Sequence, residues 1–378
     1  MKNDFQYYLP VNLIFGCGKV DTLGAETKKY GTRALVVTGQ GSTKKTGLLD
    51  RAIAYLNEAH IATCVYDKVT PNPVDTTVYE GVAVAREFGA DVVVALGGGS
   101  IIDCAKAIAF AVYNEGDIFD YIYGKKTGTK ALPLIAVPTT CGTGSEGNCF
   151  AVLTNTETND KKSLRNIISV PKASIIDPVL MTTMPNSVAS SVMFDALCHN
   201  IEAYISKSTQ PLVEMQAIYG MTLLADNMKA ALNDHSDLEA WSAVTLASTL
   251  GGMCINMAGV AAPHGMEHPA SGLKNIVHGR GLAVLAPVIY RESISYDVEK
   301  FGRMTKILGG KTASDFVDCL NLLLEQIQLK TTLSKEGITE ADIDWMVDNC
   351  LKVSAPAMKA HPREFSKEEI RELYYKAL

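Results

Sequence analysis

Between Thr32 and about Pro185, short β-branched runs alternate with stretches of helical period, and this alternation constrains the fold more than any other feature of the chain. Residues 33–38 (RALVVT) read as a buried strand, followed by an amphipathic helix over about 46–59. Residues 62–66 form a second strand, then the turn Thr70-Pro71-Asn72-Pro73 and a helix over 74–88. Residues 90–96 (ADVVVAL) form a third strand that runs into Gly97-Gly98-Gly99-Ser100 and a helix through Val112. A fourth strand covers 132–137 and is broken by Pro138. Strands separated by helices of this length pair in parallel through right-handed crossovers. Residues 7–15 read as a further strand, at a sheet edge or a subunit interface.

After Pro185 the strand signals fade, and residues 187–206, 211–232, 238–258, 296–308, 313–327 and 339–354 read as helices. The expected organisation is an α/β N-terminal domain over 1–185, with a Rossmann-like parallel sheet, and an all-α helical domain over 186–378. Hydrophobic residues at 47% and charged residues at 20% supply an ordinary globular core for both. With 41 acidic against 35 basic residues, the net charge of −6 leaves no basic stripe for nucleic acid. Apolar runs such as 105–112 fall short of the ~20 residues that span a bilayer, and no basic start precedes an apolar run. Nine cysteines without a Cys-x-x-Cys pair indicate neither a zinc knuckle nor a disulfide framework, so a cytoplasmic protein with reduced thiols is expected.

Gly97, Gly98, Gly99 and Ser100, set between a buried strand and a helix, suit a phosphate cradle, because glycines let backbone amides approach an anion at the positive end of the helix. Ser100 is a candidate cap for that helix, with Asp103 in the capping-box position. Taken alone, the loop fits a tight ligand-free turn equally well. A second loop, Pro138-Thr139-Thr140-Cys141-Gly142-Thr143-Gly144-Ser145-Glu146, adds four hydroxyls at the carboxyl end of the next strand. Gly39-Gln40-Gly41-Ser42 ends the first strand in the same way. Three such loops on one sheet edge favour a dinucleotide site, although Gly-x-Gly-x-x-Gly is absent from all three.

The seven histidines are His60, His199, His235, His264, His268, His278 and His361. Three of them form the pattern His264-x3-His268-x9-His278, and His199 lies four residues after Asp195, on the same helix face. An isolated Asp–His pair is more often a surface salt bridge, but four neighbouring members behind a cofactor-like half point to a metal. One carboxylate with several imidazoles suits Fe(II) or Zn(II) rather than calcium or magnesium. His60, His235 and His361 have no partners in the sequence and read as solvated.

Together, Gly97-Gly98-Gly99-Ser100-Ile-Ile-Asp103, the Pro138 to Glu146 loop, Asp195-x3-His199 and His264-x3-His268-x9-His278 resemble the iron-containing (group III) alcohol dehydrogenases. Pro71-Asn72-Pro73 and Asp177-Pro178 match that family's pattern too, and the resemblance runs from about Phe5 to past Val288. It implies a dehydroquinate synthase-like architecture with a divalent metal, Fe(II) or also Zn(II), between the two domains. It implies Asp195, His199, His264 and His278 as metal ligands, with His268 near the metal and nicotinamide without ligating. The cofactor would lie along Gly39, Gly41, Ser42, Asn72, Gly97, Gly98, Gly99, Ser100, Asp103, Thr139, Thr140, Thr143 and Ser145. Lys161, sixteen residues before Asp177, would approach the nicotinamide, with Lys162 the alternative by one position. A homodimer through the N-terminal strand is also implied.

Two departures from the family pattern stand out. Gly39 occupies a position where many relatives carry an acid against the ribose hydroxyls, and Ser42, Thr43, Lys44 and Lys45 follow. Without that carboxylate a ribose phosphate is not repelled, so NADP(H) is favoured over NAD(H), as in the NADP(H)-preferring butanol dehydrogenase branch. Cys141 replaces a more usual alanine, as a packing change or an oxidation-sensitive thiol.

The resemblance implies hydride transfer between NAD(P)(H) and a short-chain primary alcohol or aldehyde such as butanol or butanal, with the metal as Lewis acid. His268 is the candidate proton relay to solvent, because the ordinary pKa of an imidazole suits that role. Gly252, Met253, Asn256, Met257 and Phe150 are the expected chain-length determinants. The alternatives of the same architecture are a dehydroquinate-synthase-like lyase and a polyol-type enzyme. The lyase would need a Lys- and Arg-rich phosphate pocket near the metal, which the sequence does not display. A non-enzymatic sensor finds no support in the charge pattern.

Overall fold

The computed structural model describes residues 4–378. Strands β1 (Asn12–Phe15), β2 (Arg33–Gly39), β3 (Ala62–Val69), β4 (Val92–Gly97), β5 (Leu134–Pro138) and β8 (Ala173–Ile176) form one parallel sheet in the order β1-β8-β5-β4-β2-β3. Helices α1 (Leu48–Glu58), α2 (Asp75–Phe88) and α3 (Gly99–Ala111) cover its faces. Leu35 and Val37 pack with Val78 and Val82 of α2 and Ile102 and Ile108 of α3. Their neighbours Ala34 and Val36 pack on the other face with Leu49, Ala52 and Leu56 of α1. Burial on both faces is why these strands read as continuous apolar runs. Pro138 does not break β5: it closes the strand, opposite Gly97, on a side that needs no donor from it. The N-terminal strand is shorter than expected and lies at the sheet edge, beside β8.

A second, two-stranded antiparallel sheet was not expected. It joins β6 (Phe150–Thr154) to β7 (Lys161–Arg165). Asn155 shapes the connection: its Oδ1 accepts from the amides of Glu157 and Thr158, both at 2.9 Å. Ala151, Leu153 and Leu164 bury one face against α3, and the two-residue period turns Phe150, Val152, Lys161, Ser163 and Arg165 to the other.

The remainder is helical: α4 (Asn186–Ile205), α5 (Pro211–Asn233), α6 (Leu238–Ala258), α7 (Ala262–Lys274), α8 (His278–Arg291), α9 (Val298–Ile307), α10 (Phe316–Gln326), α11 (Glu340–Val353), α12 (Ala355–Ala360) and α13 (Lys367–Ala377). The six expected helices are present, whereas α7, α8, α12 and α13 were not foreseen. Pro269 inside α7 and Pro287 inside α8 obscure their period. From Met193 to Ile205, α4 is buried on every side, so it has no polar stripe. Helix α6 is long and apolar enough by composition to cross a membrane, yet most of its apolar window is buried in the helical region.

The loop after β5 rests directly on α6. A Cβ at Gly252 would lie 2.0 Å from the Gly144 carbonyl oxygen, and Gly144 itself has φ +57°. Two of the three histidines expected to be solvated and without partners have them, although His235 stays partly exposed. His361 is fully buried with Nε2 2.8 Å from Ser293 Oγ, and His235 bonds the Thr182 carbonyl and Asn186 Oδ1. A partner distant in sequence gives each a place that local pattern cannot reveal.

Candidate metal and cofactor site

Helix α4 carries Asp195 and His199 one turn apart, α7 carries His264, and His278 is the first residue of α8. Their donor atoms converge: Asp195 Oδ1 lies 3.6 Å from His199 Nε2, 3.3 Å from His264 Nε2 and 3.7 Å from His278 Nε2. The other nitrogen of each ring faces an acceptor. His264 Nδ1 is 2.6 Å from Glu202 Oε1, His278 Nδ1 bonds Glu267 Oε2, and His199 Nδ1 is 3.3 Å from the Gly142 carbonyl. Each Nδ1 therefore donates its proton outward and leaves the Nε2 lone pair turned towards Asp195. Asp195 Oδ1 and His264 Nε2 are buried without a hydrogen-bond partner. Buried polar atoms left in this way fit a cation between them, and one carboxylate with three imidazoles suits a divalent transition metal.

The local electrostatics agree. Burial acts to raise the Asp195 pKa, but His199, His264 and His278 hold it well below the usual carboxylate range. Burial lowers His199 to about 4, which keeps it neutral and able to ligate. At His264 burial also lowers the pKa, but Glu202 and Asp195 outweigh it and raise the value to about 10. The same carboxylates would favour a metal ion at that nitrogen, and the ion would displace the proton when it binds. Glu202 and Glu267, both fully buried, were not singled out in the sequence, because an acid reads as a solvated residue until its fold position is known.

His268 is half-buried, with its ring centroid 5.7 Å from that of His278 and 6.1 Å from that of His264. Glu267, His268 and His278 offer a second trio of donor atoms within 4.8 Å of one another. Burial, with Lys161 adding to it, holds the His268 pKa well below its ordinary value. Its imidazole is therefore neutral near pH 7, not poised in mid-titration as its residue type suggested.

Two cavities line the carboxyl edge of the sheet. One, of about 620 Å³, is bordered by Ser42, Thr43, Lys45, Arg51, Gly98, Thr139 and Thr140. The other, of about 130 Å³, is bordered by Asn72, Ser100, Asp103, Thr143, Ser145 and Lys161 together with the four converging residues and His268. Gly39, Gly41, Gly97 and Gly99 border neither cavity. Gly99 matters for closeness, since a Cβ there would meet the Thr143 side chain at 2.3 Å. Ser100 does not cap α3: Gly98 is the N-cap, with no side-chain bond to the helix amides. Asp103 is not in a capping box either, but accepts from Ser145 Oγ at 2.5 Å and from the Val152 amide at 2.9 Å. The free amides at the start of α3 remain available to an anion.

Lys106, unremarked in the sequence, is fully buried and ties this wall together. Its Nζ donates to the Ser145 carbonyl (2.6 Å), Ser145 Oγ (2.8 Å), Asn148 Oδ1 (3.0 Å) and the Phe150 carbonyl (2.8 Å). Burial lowers its pKa to about 8, against the opposing pull of Asp103. A lysine in the apolar run 101–112 was the available signal.

The two adjacent lysines have different partners. Lys161 Nζ reaches Asn72 Oδ1 (2.9 Å) and Ser271 Oγ (2.8 Å) at the cavity, whereas Lys162 bonds the Val353 carbonyl. Of the lysines after Gly39, Lys44 pairs with Asp67 on β3 and Lys45 borders the larger cavity. Cys141 is buried, and burial raises its thiol to about 12, so it packs as an inert protonated thiol. Among the expected chain-length determinants only Phe150 borders the smaller cavity, where Ile255 and Val260 join it in place of Gly252, Met253, Asn256 and Met257. The cleft also holds more cationic side chains than expected, since Lys161 and Arg165 both line it.

Residues 10–178 match the family model for iron-containing alcohol dehydrogenase, and residues 188–378 match that for the C-terminal region of the Fe-containing alcohol dehydrogenase family. The chain is 35% identical to 1,3-propanediol dehydrogenase of Klebsiella pneumoniae, over 99% of this chain and 98% of that protein. It is 32% identical to NADH-dependent butanol dehydrogenase A of Clostridium acetobutylicum, over 99% of each. Among solved structures it is similar to an archaeal halo-thermophilic alcohol dehydrogenase from a Red Sea brine pool (TM-score 0.95, 34% identity, 100% of each chain). It is also similar to NADH-dependent butanol dehydrogenase A of Thermotoga maritima (TM-score 0.91, 30% identity, 99% of this chain and 98% of that one).

Proposed function

Because this chain belongs to the iron-containing alcohol dehydrogenase family, we propose that it interconverts a short-chain primary alcohol, such as butanol, with its aldehyde, and that it uses NADP(H) in preference to NAD(H). The observation that carries this reading is the convergence of Asp195 Oδ1 with three histidine Nε2 atoms beside a cavity on the carboxyl edge of the parallel sheet.

Asp195, His199, His264 and His278 would hold the metal, Fe(II) first and Zn(II) as an alternative, since these donors accept both. When bound, the metal supplies Lewis-acid polarisation of the alcohol or carbonyl oxygen, and the nicotinamide supplies or accepts the hydride. Ser145, fixed by Lys106 and Asp103, and Thr143, whose Oγ1 accepts from the Ser145 amide, position the nicotinamide end of the cofactor. Lys161, oriented by Asn72 and Ser271, supports the same end. His268 passes a proton towards solvent as a neutral imidazole, accepting on one nitrogen while giving from the other.

Support for NADP(H) comes from the larger cavity, where Lys45 and Arg51 stand with Ser42 and Thr43 and no carboxylate shares the lining. The nine cysteines are free, in keeping with a cytoplasmic protein. Strand β1 has a neighbour on one side only among the described residues, which suits a homodimer through that edge.

The test is butanal reduction by anaerobically purified protein, with NADPH or NADH, before and after metal is stripped and Fe(II) or Zn(II) restored. Metal-dependent oxidation of NADPH, with NADH much weaker, is expected. Faster oxidation of NADH overturns the cofactor preference and keeps the enzyme. No oxidation across a panel of aldehydes moves the lyase reading to the front.

A further inference from the structure

We propose that Ser271 is a positioning residue that couples the metal donors to the cofactor site, so that a divalent metal and the dinucleotide each raise the protein's affinity for the other. This deepens the alcohol dehydrogenase reading above and rests on it, since that reading supplies the two ligands.

A continuous hydrogen-bonded chain joins the two sites. It starts at His278, whose Nε2 lies 3.7 Å from Asp195 Oδ1 and whose Nδ1 bonds Glu267 Oε2. The same Oε2 accepts from Ser271 Oγ at 3.1 Å. Ser271 Oγ in turn accepts from Lys161 Nζ at 2.8 Å, and that ammonium also donates to Asn72 Oδ1 at 2.9 Å. Asn72 leads back to the end of α7, where its Nδ2 donates to Asn275 Oδ1 at 2.7 Å. Glu267, Ser271 and Lys161 are all buried, so water does not compete for these bonds.

Only a hydroxyl at position 271 closes this chain. Ser271 stands one turn after Glu267 on the same face of α7. The β6–β7 connection presses against that helix: a Cβ at Gly272 would lie 2.5 Å from the Asn159 carbonyl oxygen. Lys161 Nζ and Glu267 Oε2 are themselves 4.0 Å apart, beyond hydrogen-bond reach, and Ser271 Oγ spans the gap. Glu267 Oε2 thus serves both the imidazole of a metal donor and, through Ser271, the lysine at the cofactor site. Glu267 Oε1 is buried without a partner. Burial lowers the Lys161 pKa, and Glu267 is the largest influence opposing it.

Coupling follows from the sharing of one chain by two sites. With His278 Nε2 engaged in ligation, its ring, Glu267 Oε2, Ser271 Oγ and Lys161 Nζ are ordered together. A dinucleotide seated against Lys161 orders the same groups from the other end. The first ligand to arrive bears the ordering entropy, and the second meets groups already in place. The effect is reciprocal by thermodynamic linkage.

The experiment is a pair of titrations: NADPH affinity by fluorescence on metal-free and Zn(II)-loaded protein, and Zn(II) affinity by chelator competition with and without saturating NADPH. NADH is run in parallel. In the wild type each ligand is expected to raise the affinity for the other by about fivefold or more, by the same factor in both directions. S271A leaves Glu267 on His278 Nδ1, so its Zn(II) affinity without dinucleotide should escape the roughly 10- to 100-fold loss that follows removal of a ligand's own partner. Its coupling factor should nevertheless fall at least about threefold. S271T, which keeps the hydroxyl, should retain the coupling, and S271C, with only a weak thiol donor, serves if S271A does not fold.

Equal coupling in wild type and S271A overturns the proposal, as does independent or mutually weakened binding in the wild type. In either case the alcohol dehydrogenase reading stands, because metal and dinucleotide still bind. Coupling lost from S271T as well assigns the effect to packing rather than to the hydroxyl, and overturns the role of the chain. Coupling with NADH alone supports the chain and removes only the cofactor preference. If neither dinucleotide binds, both readings fall.

Discussion

Glu202 Oε1 lies 2.6 Å from His264 Nδ1, and the far nitrogen of the same ring lies 3.3 Å from Asp195 Oδ1, so a carboxylate outside the donor set decides which nitrogen faces inward. The other Glu202 oxygen accepts from the Ala261 amide at 2.6 Å and so holds the start of α7 against α4. Glu202→Gln keeps an acceptor for Nδ1 but removes the charge. Its Zn(II) affinity is expected to fall about 10- to 100-fold, measured by competition with a chromophoric chelator. Wild-type affinity in the variant contradicts this role.

Asp195 Oδ1 is the atom all three imidazoles share, which makes it the most direct probe of the donor set. Zn(II) at 100 times its dissociation constant should stabilise the wild type by about 2.7 kcal/mol, seen as a rise in the melting midpoint. In Asp195→Asn, and in His278→Ala, that rise should shrink or vanish. An undiminished rise in either variant removes that residue from the ligand set.

How far the sequence carried differs by element, for physical reasons. Strands β2, β4 and β5 were readable because they are buried on both faces. The β6–β7 hairpin was not, because Lys161 and Arg165 turn to a cavity and the alternation of KKSLR resembles a solvated loop. Helices α7 and α8 hid behind their internal prolines, yet the histidines they carry stood out, since spacing along the chain survives an unrecognised helix. Glu202, Glu267 and Lys106 act through partners brought close only by tertiary packing. His361 was misread for the same reason, with Ser293 sixty-eight positions away.

Gly252→Ala probes the contact between the two halves. The added Cβ would fall 2.0 Å from the Gly144 carbonyl oxygen, and backbone cannot rotate aside as a side chain can. The loop bearing Thr143 and Ser145 must then shift away from α6. The variant is expected to lose about 1–3 kcal/mol of stability and to bind the dinucleotide more weakly, by chemical denaturation and by cofactor titration. Unchanged values in both would mean that the halves separate freely at this contact.

His361 makes stability depend on pH, independently of the metal donors. Burial, with Lys207 and Arg363 adding to it, lowers its pKa from the ordinary 6.5 to about 3. Its Nδ1 is buried without a partner, so a proton placed there would have no acceptor. Between pH 6.5 and about 3 the unfolded chain binds this proton and the folded protein does not, so the contribution of His361 to stability is lost as pH falls through that window. Above pH 6.5 it adds no slope. His361→Gln removes the titration, so its stability curve should be flatter than the wild type's by up to one proton between pH 6.5 and 3. Urea unfolding of both proteins at pH 7, 6 and 5 measures the difference, with the metal chelated throughout. The gap between them should change in the variant's favour as pH falls, and parallel curves would show that the folded protein takes up the proton at His361 as readily as the unfolded chain.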